Sequence, residues 1–176
     1  LLCEGAARPG HAPCGGCPAC LQVLANSHPD LISVSRPPDK AFIPIEALIG
    51  SDGKMREGLC HDLSLKPFRG GRKIAIVDDA DFINQEGANS LLKTLEEPPP
   101  GSVLILIGTS PARQLPTIRS RCQRVLFQPL TVSQVADVLQ KTGLADDAAT
   151  AQALATASAG SVQQALALRD PAIQEF

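Results

Sequence analysis

The sequence predicts an α/β protein in which a parallel sheet is covered by helices on both faces. Two short apolar segments, Lys73–Val77 (KIAIV) and 103–108 (VLILIG), have the length and composition of buried strands. Between them, residues 84–97 carry apolar side chains at the spacing of one helix face and end at a triple proline. This alternation of strand and helix is typical of parallel strands joined by helical crossovers.

The first half of the chain opens with an irregular segment. Residues 1–20 are rich in Gly, Pro and Cys and cannot hold a fixed structure without a cross-link. The next predicted elements are a short helix over 22–26, a strand over Leu31–Val34, and helical turns over 44–63 that are interrupted around 50–53. His28, Pro29 and Asp30 separate the first helix from the strand, because the residue before proline disfavours helical geometry.

The second half continues the alternation and then becomes helical. The predicted elements are a short helix over 115–120, a third strand over 125–127, and helices over 131–142, 146–159 and 161–169. Thr131 and Gln134 have the spacing of a capping box. We therefore expect a zinc-binding module with its following helix at 1–30, an α/β core at 31–128 and a small helical domain at 129–176.

Composition excludes several classes of function. The 176 residues carry a net charge of −2, which argues against holding nucleic acid by net charge alone. Trp and Tyr are absent and only five Phe are present, so a platform of aromatic rings for base stacking is not expected. The longest aliphatic run, 103–107, is far below the ~20 residues that span a bilayer. We expect a cytoplasmic protein without a membrane partner.

Four cysteines near the start predict a structural zinc site. Cys3, Cys14, Cys17 and Cys20 supply four thiolates, and the Cys-x-x-Cys-x-x-Cys spacing brings three of them to one ion. Four protein ligands leave no open position for water, so such an ion stabilises a fold and does not catalyse. Two alternatives stay open: unpaired thiols in a loop, or His11 in place of one cysteine.

A second pattern lies where the strand 73–77 ends. Asp78 and Asp79 follow the apolar run directly, which is the arrangement called Walker B. There, the first acid holds Mg²⁺ and the second polarises water. The alternative is an acidic strand end that only caps the next element. Two further strings accompany it, SLLKTLEEPP over 90–99 and Ser-Arg-Cys at 120–122.

Together these strings resemble the bacterial DNA polymerase III clamp-loader ATPase family of the AAA+ superfamily. The similarity runs from Cys3 to about Arg169, and LLKTLEEPP is specific to the family. Two of its subunit types, gamma/tau and delta prime, share the four-Cys module. The strings His28-Pro29-Asp30 and SLKPFRGGRKIAIVDDAD are more similar to delta prime. The resemblance implies a P-loop NTPase-like AAA+ core followed by a helical lid domain.

The resemblance also implies roles for single residues. Arg121 would be an arginine finger that reaches a neighbouring subunit's ATP, unless it is an ordinary surface Arg. Thr109 would occupy the sensor-one position, with strand capping as the alternative. Asp79 stands where the active ATPases have Glu, and Gln163 stands where they have a lid Arg. Together with the lack of a Gly-x-x-x-x-Gly-Lys-Ser/Thr loop in the 176 residues, this predicts that ATP and Mg²⁺ act only through neighbours, or not at all.

These implications give one expected function and two alternatives. We expect a clamp-loader subunit that supports ATP-dependent loading of the sliding clamp onto primed DNA, with gamma/tau and delta subunits, the clamp and primer-template DNA as partners. The chain starts at Leu1 and is expected to be a piece of a longer protein, without ATPase or polymerase activity of its own. The alternatives are an active gamma/tau-type ATPase and a zinc-stapled interaction module without a nucleotide role.

Overall fold

The computed structural model describes residues 2–5, 12–51, 56–69 and 71–169. The chain divides into two compact units, Leu1–Arg124 and Val125–Phe176. Within the described residues, no helix combines the length and the apolar character that a membrane span requires.

In the described part of the first unit, a parallel sheet of three strands forms the centre. The strands are β1 (Leu31–Val34), β2 (Lys73–Val77) and β3 (Ser102–Leu106), in the order β1-β2-β3. In both pairs the strands are parallel; Ile74 of β2 lies opposite Leu31 of β1 and Val103 of β3. The predicted parallel α/β sheet is therefore confirmed, and β2 has the predicted bounds.

The helices of the first unit surround this sheet. They are α1 (Pro18–Leu24), α2 (Ile45–Ile49), α3 (Leu59–Ser64), α4 (Gln85–Glu96) and α5 (Pro116–Arg119), with a 3₁₀ turn at Ala80–Phe82 after β2. Asn84 caps α4, because its side chain accepts a hydrogen bond of 2.8 Å from the Gly87 amide. The cap and the prolines after Glu97 explain why α4 lies within the predicted 84–97.

The main core lies between one face of the sheet and helices α2 to α5. Its buried residues are Ile43, Leu48, Leu59, Cys60, Leu63, Ala75, Val77, Ala80, Ile83, Ala88, Leu91 and Ile118. The other face lines an apolar groove of about 380 Å³, together with α1 and the Cys-rich segment. Ile105 in this groove is 37% exposed. Helices of the described chain thus bury Ala75 and Val77 on the first face, whereas α1 and the Cys-rich segment cover the second face only in part.

Three predicted elements differ from the structure. The strand predicted over 103–108 forms as Ser102–Leu106, one residue earlier at its start and two at its end. The strand over 125–127 does not form, and Val125, Leu126 and Phe127 are 70%, 65% and 92% exposed. A strand needs a neighbour for its backbone groups, and no described segment pairs with these residues. The first helix is Pro18–Leu24 and not 22–26. It begins earlier because Cys17 caps it and Pro18, with φ already helical, occupies its first turn.

Between residues 125 and 169, the second unit contains three short helices, α6 (Val132–Lys141), α7 (Ala148–Ala157) and α8 (Val162–Ala167). All three lie within the predicted ranges. The capping box also forms, with the Thr131 amide donating to Gln134 Oε1 at 2.9 Å and the Gln134 amide donating to Thr131 Oγ1 at 3.3 Å. The helices pack through small side chains around a core of Val135, Ala136, Leu139, Ala145, Ala151, Ala155 and Ala165.

Candidate functional site

The four predicted zinc ligands lie together in the structure. The Sγ atoms of Cys3, Cys14, Cys17 and Cys20 are all within 4.8 Å of one another. The Sγ–Sγ distances are 3.6 Å for Cys3–Cys14, 3.9 Å for Cys3–Cys17 and 4.0 Å for Cys14–Cys20. A tetrahedral zinc ion with Zn–S bonds near 2.3 Å needs S–S edges of about 3.8 Å. The four thiols therefore fit a closed tetrahedral zinc site.

Local backbone amides hold two of these thiols in place. Cys17 caps α1 and Cys20 follows one turn later, so that the Cys20 amide donates to Cys17 Sγ at 3.5 Å. The Cys14 amide donates to Cys3 Sγ at 3.4 Å, which ties the start of the chain to the loop. Gly15, with φ of +73°, makes the turn between Cys14 and Cys17. His11, the alternative ligand, lies outside the described residues.

The pKa values of these thiols differ because their surroundings differ. The hydrogen bond from the Cys20 amide lowers the pKa of Cys17 to about 6, and the one from the Cys14 amide lowers the pKa of Cys3. Burial raises the pKa of Cys20 to about 12, and its hydrogen bonds with Cys17 and other thiols act in the same direction. Four adjacent thiolates repel each other, so a fully deprotonated set requires a cation among them.

The acidic end of β2 has its two predicted aspartates side by side. The Asp78 amide donates to the Val34 carbonyl at 2.8 Å, and the exposed Asp78 carboxylate accepts from the Asp79 amide at 2.9 Å. Asp79 has φ of +56°, a left-handed geometry that Asp tolerates better than most residues. Its side chain does not cap the 3₁₀ turn that follows. Asp78 and Asp79 thus lie directly after β2, and their Walker-B role stays a prediction.

Thr109, at the predicted sensor-one position, is bound to a third acid of the same string. Asp81 Oδ2 accepts from the Thr109 amide at 2.7 Å and from Thr109 Oγ1 at 2.5 Å. Asp81 Oδ1 accepts from Gln114 Nε2 at 2.6 Å. A hydroxyl has one hydrogen to donate, so in this arrangement Thr109 can only accept from a ligand.

Asp81 is a site residue that the sequence interpretation missed. The signal was Gly108, two residues after the end of β3: a Cβ there would lie 2.6 Å from Asp81 Oδ1 and 2.5 Å from Gln114 Nε2, so a glycine leaves room for these two side chains as they are placed. Partial burial raises the pKa of the Asp81 carboxyl, but the hydrogen bonds from Thr109 and Gln114 and the charge of Arg113 outweigh it and hold the pKa below its usual value.

Asp81→Asn is expected to lower the free energy of unfolding by about 1–2 kcal/mol at pH 7, because the amide puts a donor where Thr109 or Gln114 also donates. Urea denaturation measures the difference. Since the folded pKa is depressed, this stabilisation is present above the unfolded pKa of about 3.9 and is lost as pH falls through the folded value. The matched control is Asp79→Asn, which removes the same negative charge from a side chain that makes no capping hydrogen bond to the 3₁₀ turn. Equal losses in the two variants would contradict the role of Asp81.

Arg121 follows α5 and is held by three groups of its own unit. Its Nε and Nη2 approach Glu96 Oε1 at 2.7 and 2.6 Å, and its Nη1 donates to the Thr117 carbonyl at 2.9 Å and to Ser120 Oγ at 3.3 Å. The side chain remains 33% exposed. Cys122, the next residue, is only partly exposed and packs against the main core. Within the Ser-Arg-Cys string, the Cys122 side chain thus packs on the main core and the Arg121 side chain stays at the surface.

The last predicted position, Gln163, is exposed on α8 in the second unit. Ser161 caps this helix, since its Oγ accepts from the Gln164 amide at 3.2 Å. Gly160 precedes it with φ of +83°, and a Cβ there would lie 2.5 Å from the Leu130 carbonyl oxygen. Gly160 and Ser161 are therefore explained by the local backbone, since one makes a tight turn and the other caps α8.

Comparison with known proteins identifies the family. The family described as "DNA polymerase III, delta subunit" matches residues 1–131. The chain belongs to this DNA polymerase III clamp-loader family. Its relatives include DNA polymerase III subunit delta' of Pseudomonas aeruginosa, which is 38% identical over 122 residues, or 69% of this chain and 34% of the relative. The delta' subunit of Bacillus subtilis is 35% identical over 74% of this chain and 36% of its own length. The predicted resemblance is confirmed, and the chain is delta prime-like.

A third relative and a solved structure extend the comparison. DNA polymerase III subunit tau of Escherichia coli is 31% identical over 165 residues, 92% of this chain and 24% of the relative. The structure of a point mutant of RuvB from Thermotoga maritima covers 85% of this chain and 47% of its own, with a TM-score of 0.53 and 17% identity, and so supports the fold alone. The chain spans about a third of the length of the delta' relatives that it matches.

Proposed function

We propose that this protein is a delta prime-type subunit of a clamp loader. In this proposal it supports ATP-dependent loading of the sliding clamp onto primed DNA and supplies Arg121 in trans to an ATP bound by a neighbouring subunit. Its partners are gamma/tau and delta subunits and, through the complex, the clamp and primer-template DNA. The family and the delta' relatives support the subunit type.

The observation that carries the proposal is the placement of Arg121. The backbone before it is fixed, because Ile118 of α5 is 2% exposed in the main core. The backbone after it is held by Cys122, which packs on the same core. The guanidinium between these anchors remains at the surface, where a second subunit can reach it. A planar cation with several N–H donors is the group that best stabilises charge on a transferring phosphoryl group.

Zinc has a structural role in this proposal. The four thiols of Cys3, Cys14, Cys17 and Cys20 fit a tetrahedral ion that holds the start of the chain against α1. Bound zinc supplies a cross-link that keeps all four thiolates charged in one place. It has no part in phosphoryl transfer.

The nucleotide-site positions of this chain are proposed to be vestigial. Asp79 is one methylene shorter than the Glu expected there, and Thr109 already donates its hydroxyl hydrogen to Asp81. Gln163 has no charge with which to neutralise a phosphate. ATP and Mg²⁺ therefore act at sites of neighbouring subunits, with Arg121 contributing from this one.

Reconstitution tests the proposal. The full-length protein is mixed with gamma/tau and delta subunits, and ATPase activity and clamp loading are measured with primed DNA. Both activities should depend on the added protein. A complex that forms and loads clamps equally well without it, or a protein that does not join the complex, would contradict the subunit assignment.

A second candidate is an active gamma/tau-type ATPase. The observation in its favour is the tau relative, whose similarity extends over 92% of this chain against 69–74% for the delta' relatives cited above. Hydrolysis separates the two candidates, because an active ATPase turns over ATP as the isolated full-length protein. Turnover that Asp78→Asn abolishes would favour this candidate, and its absence favours delta prime.

A further inference from the structure

We propose that Glu96 is a positioning residue for Arg121, so that the LLKTLEEPP string acts through the arginine of Ser-Arg-Cys. This inference rests on the proposed function, in which Arg121 acts at a neighbour's ATP. It adds a role for a carboxylate that lies 25 residues earlier in the chain, at the other end of an ion pair.

The geometry of the pair is the first support. Glu96 Oε1 is 2.7 Å from Nε and 2.6 Å from Nη2 of Arg121, so it takes one edge of the planar guanidinium. The Thr117 carbonyl fixes Nη1 at 2.9 Å from a second direction. Contacts from two directions define the plane and the direction of the group. A flexible arginine is thereby ordered before any partner arrives.

The position of Glu96 on its helix is a second, independent support. Glu96 is the last residue of α4, where the partial negative charge of the helix C-terminus disfavours a carboxylate. Lys93 is the basic residue of that last turn, yet the carboxylate pairs with Arg121 of another segment. The unfavourable position of the Glu96 carboxylate at the helix end is thus offset by its ion pair with Arg121, the proposed arginine finger.

The exposure of the Glu96–Arg121 ion pair indicates that Glu96 orients the Arg121 side chain but can be displaced from it. The two side chains are 33% and 50% exposed, and exposed ion pairs of this kind are weak. A phosphate group carries more charge than a carboxylate and can replace Glu96 at the guanidinium edge. Glu96 therefore sets the direction of Arg121 in the free subunit and yields to phosphate in the complex.

The chain offers a matched control in the next residue. Glu97 has the same side chain and is also exposed, and within the described residues its carboxylate pairs with no cation. Glu96→Gln and Glu97→Gln remove the same charge from the same helix end. A difference in ATPase rate between the two variants therefore reports the loss of the Glu96–Arg121 contact and not the loss of a negative charge.

The experiment is a double-mutant cycle in the reconstituted clamp loader. Four variants of the full-length protein are compared with the wild type: Glu96→Gln, Glu97→Gln, Arg121→Ala and the double variant Glu96→Gln/Arg121→Ala. Glu96→Gln should lower kcat of the DNA-stimulated ATPase about two- to fivefold, the range of an exposed ion pair, with KM for ATP unchanged. Glu97→Gln should match the wild type. Adding Glu96→Gln to Arg121→Ala should change nothing more.

Several outcomes would overturn this inference. An increase in kcat would mean that Glu96 restrains Arg121, and an equal loss in the Arg121→Ala background would mean that it acts elsewhere. If Arg121→Ala lowers the ATPase and Glu96→Gln does not, only the positioning role fails. If Arg121→Ala matches the wild type, the proposed function fails and this inference with it. Thermal denaturation of the two Gln variants, expected to be equal, separates a positioning effect from a loss of stability.

Discussion

Arg121→Ala should leave the fold intact and strongly lower the DNA-stimulated ATPase of a reconstituted clamp loader. Arginine fingers contribute roughly 10³–10⁵ in rate at the site that they serve. The bulk rate will fall by less, because sites that do not face this subunit keep their own fingers. Single-turnover measurement of the site beside this subunit should show the full effect.

The stability of the Arg121→Ala variant should change little. The side chain is 33% exposed, and the contacts that it loses are to the exposed Glu96 and to groups of the neighbouring turn. Surface substitutions of this kind usually stay within about 0.5 kcal/mol. Urea denaturation of wild type and variant checks this. A large loss of stability would make the rate effect uninformative about a trans role.

Arg121→Lys tests the chemistry of the finger. An ammonium is a point charge and cannot bridge two phosphate oxygens as the planar guanidinium does. Lysine should therefore restore little of the rate that alanine loses. Full activity of the lysine variant would mean that Arg121 supplies only charge.

Two neighbouring arginines serve as controls for Arg121. Arg119 donates to the Pro111 carbonyl at 3.2 Å, and Arg124 is exposed at the end of the same segment. Alanine at either position should leave the ATPase near the wild-type rate. If all three alanine variants weaken the ATPase equally, or if none does, Arg121 is a surface charge and the trans role is wrong. That result would leave the zinc-stapled interaction module as the better hypothesis.

The elements that the sequence predicted well are those whose signals are local. KIAIV became β2 with the predicted bounds, because four consecutive apolar residues favour a buried strand and the two aspartates that follow mark its end. The helix after Asn84 and the capping box at Thr131 were predictable for the same reason, since a cap and its partner lie three residues apart. The four cysteines were also predictable, because three of them lie within seven residues of sequence.

The elements that the sequence did not predict depend on contacts between distant residues. The segment 125–127 has a strand-like composition, but a strand also requires a partner, which composition does not show. The acceptor of Thr109 is Asp81, 28 residues away, and the carboxylate on Arg121 is Glu96, 25 residues away. Both acids were in strings already noted, yet their partners became visible only when the fold placed the end of β2 beside the end of β3, and the end of α4 beside the end of α5.

Removal of zinc should unfold the start of the chain and spare the sheet. Cys17→Ser is the sharpest substitution, because Cys17 is both a predicted zinc ligand and the cap of α1. Serine can keep the cap, since its oxygen also accepts from a backbone amide, but it is a poor zinc ligand. The variant therefore separates the metal site from the helix cap.

The purified protein should contain about one zinc per chain by elemental analysis, and Cys17→Ser should contain much less. Thiolate ligation can be checked by replacing zinc with cobalt, whose visible absorption reports a tetrahedral sulfur site. Cys122→Ser is the matched control, because it removes a thiol far from the cluster in sequence and should keep the metal. A wild-type protein without zinc, or a disulfide between Cys14 and Cys20, would contradict the site.

The sheet should survive loss of the metal because its main core lies on the face away from the Cys-rich segment. That core holds Leu48, Leu63 and Leu91, each 1% exposed or less, and none of the four cysteines belongs to it. Amide hydrogen exchange should therefore become fast over α1 after chelation, while Ala75 and Val77 of β2 stay protected. The groove on the other face loses α1 as a wall, so binding of a hydrophobic dye should rise. Loss of protection throughout the sheet would mean that the zinc module is part of the main folding unit and not a separate staple.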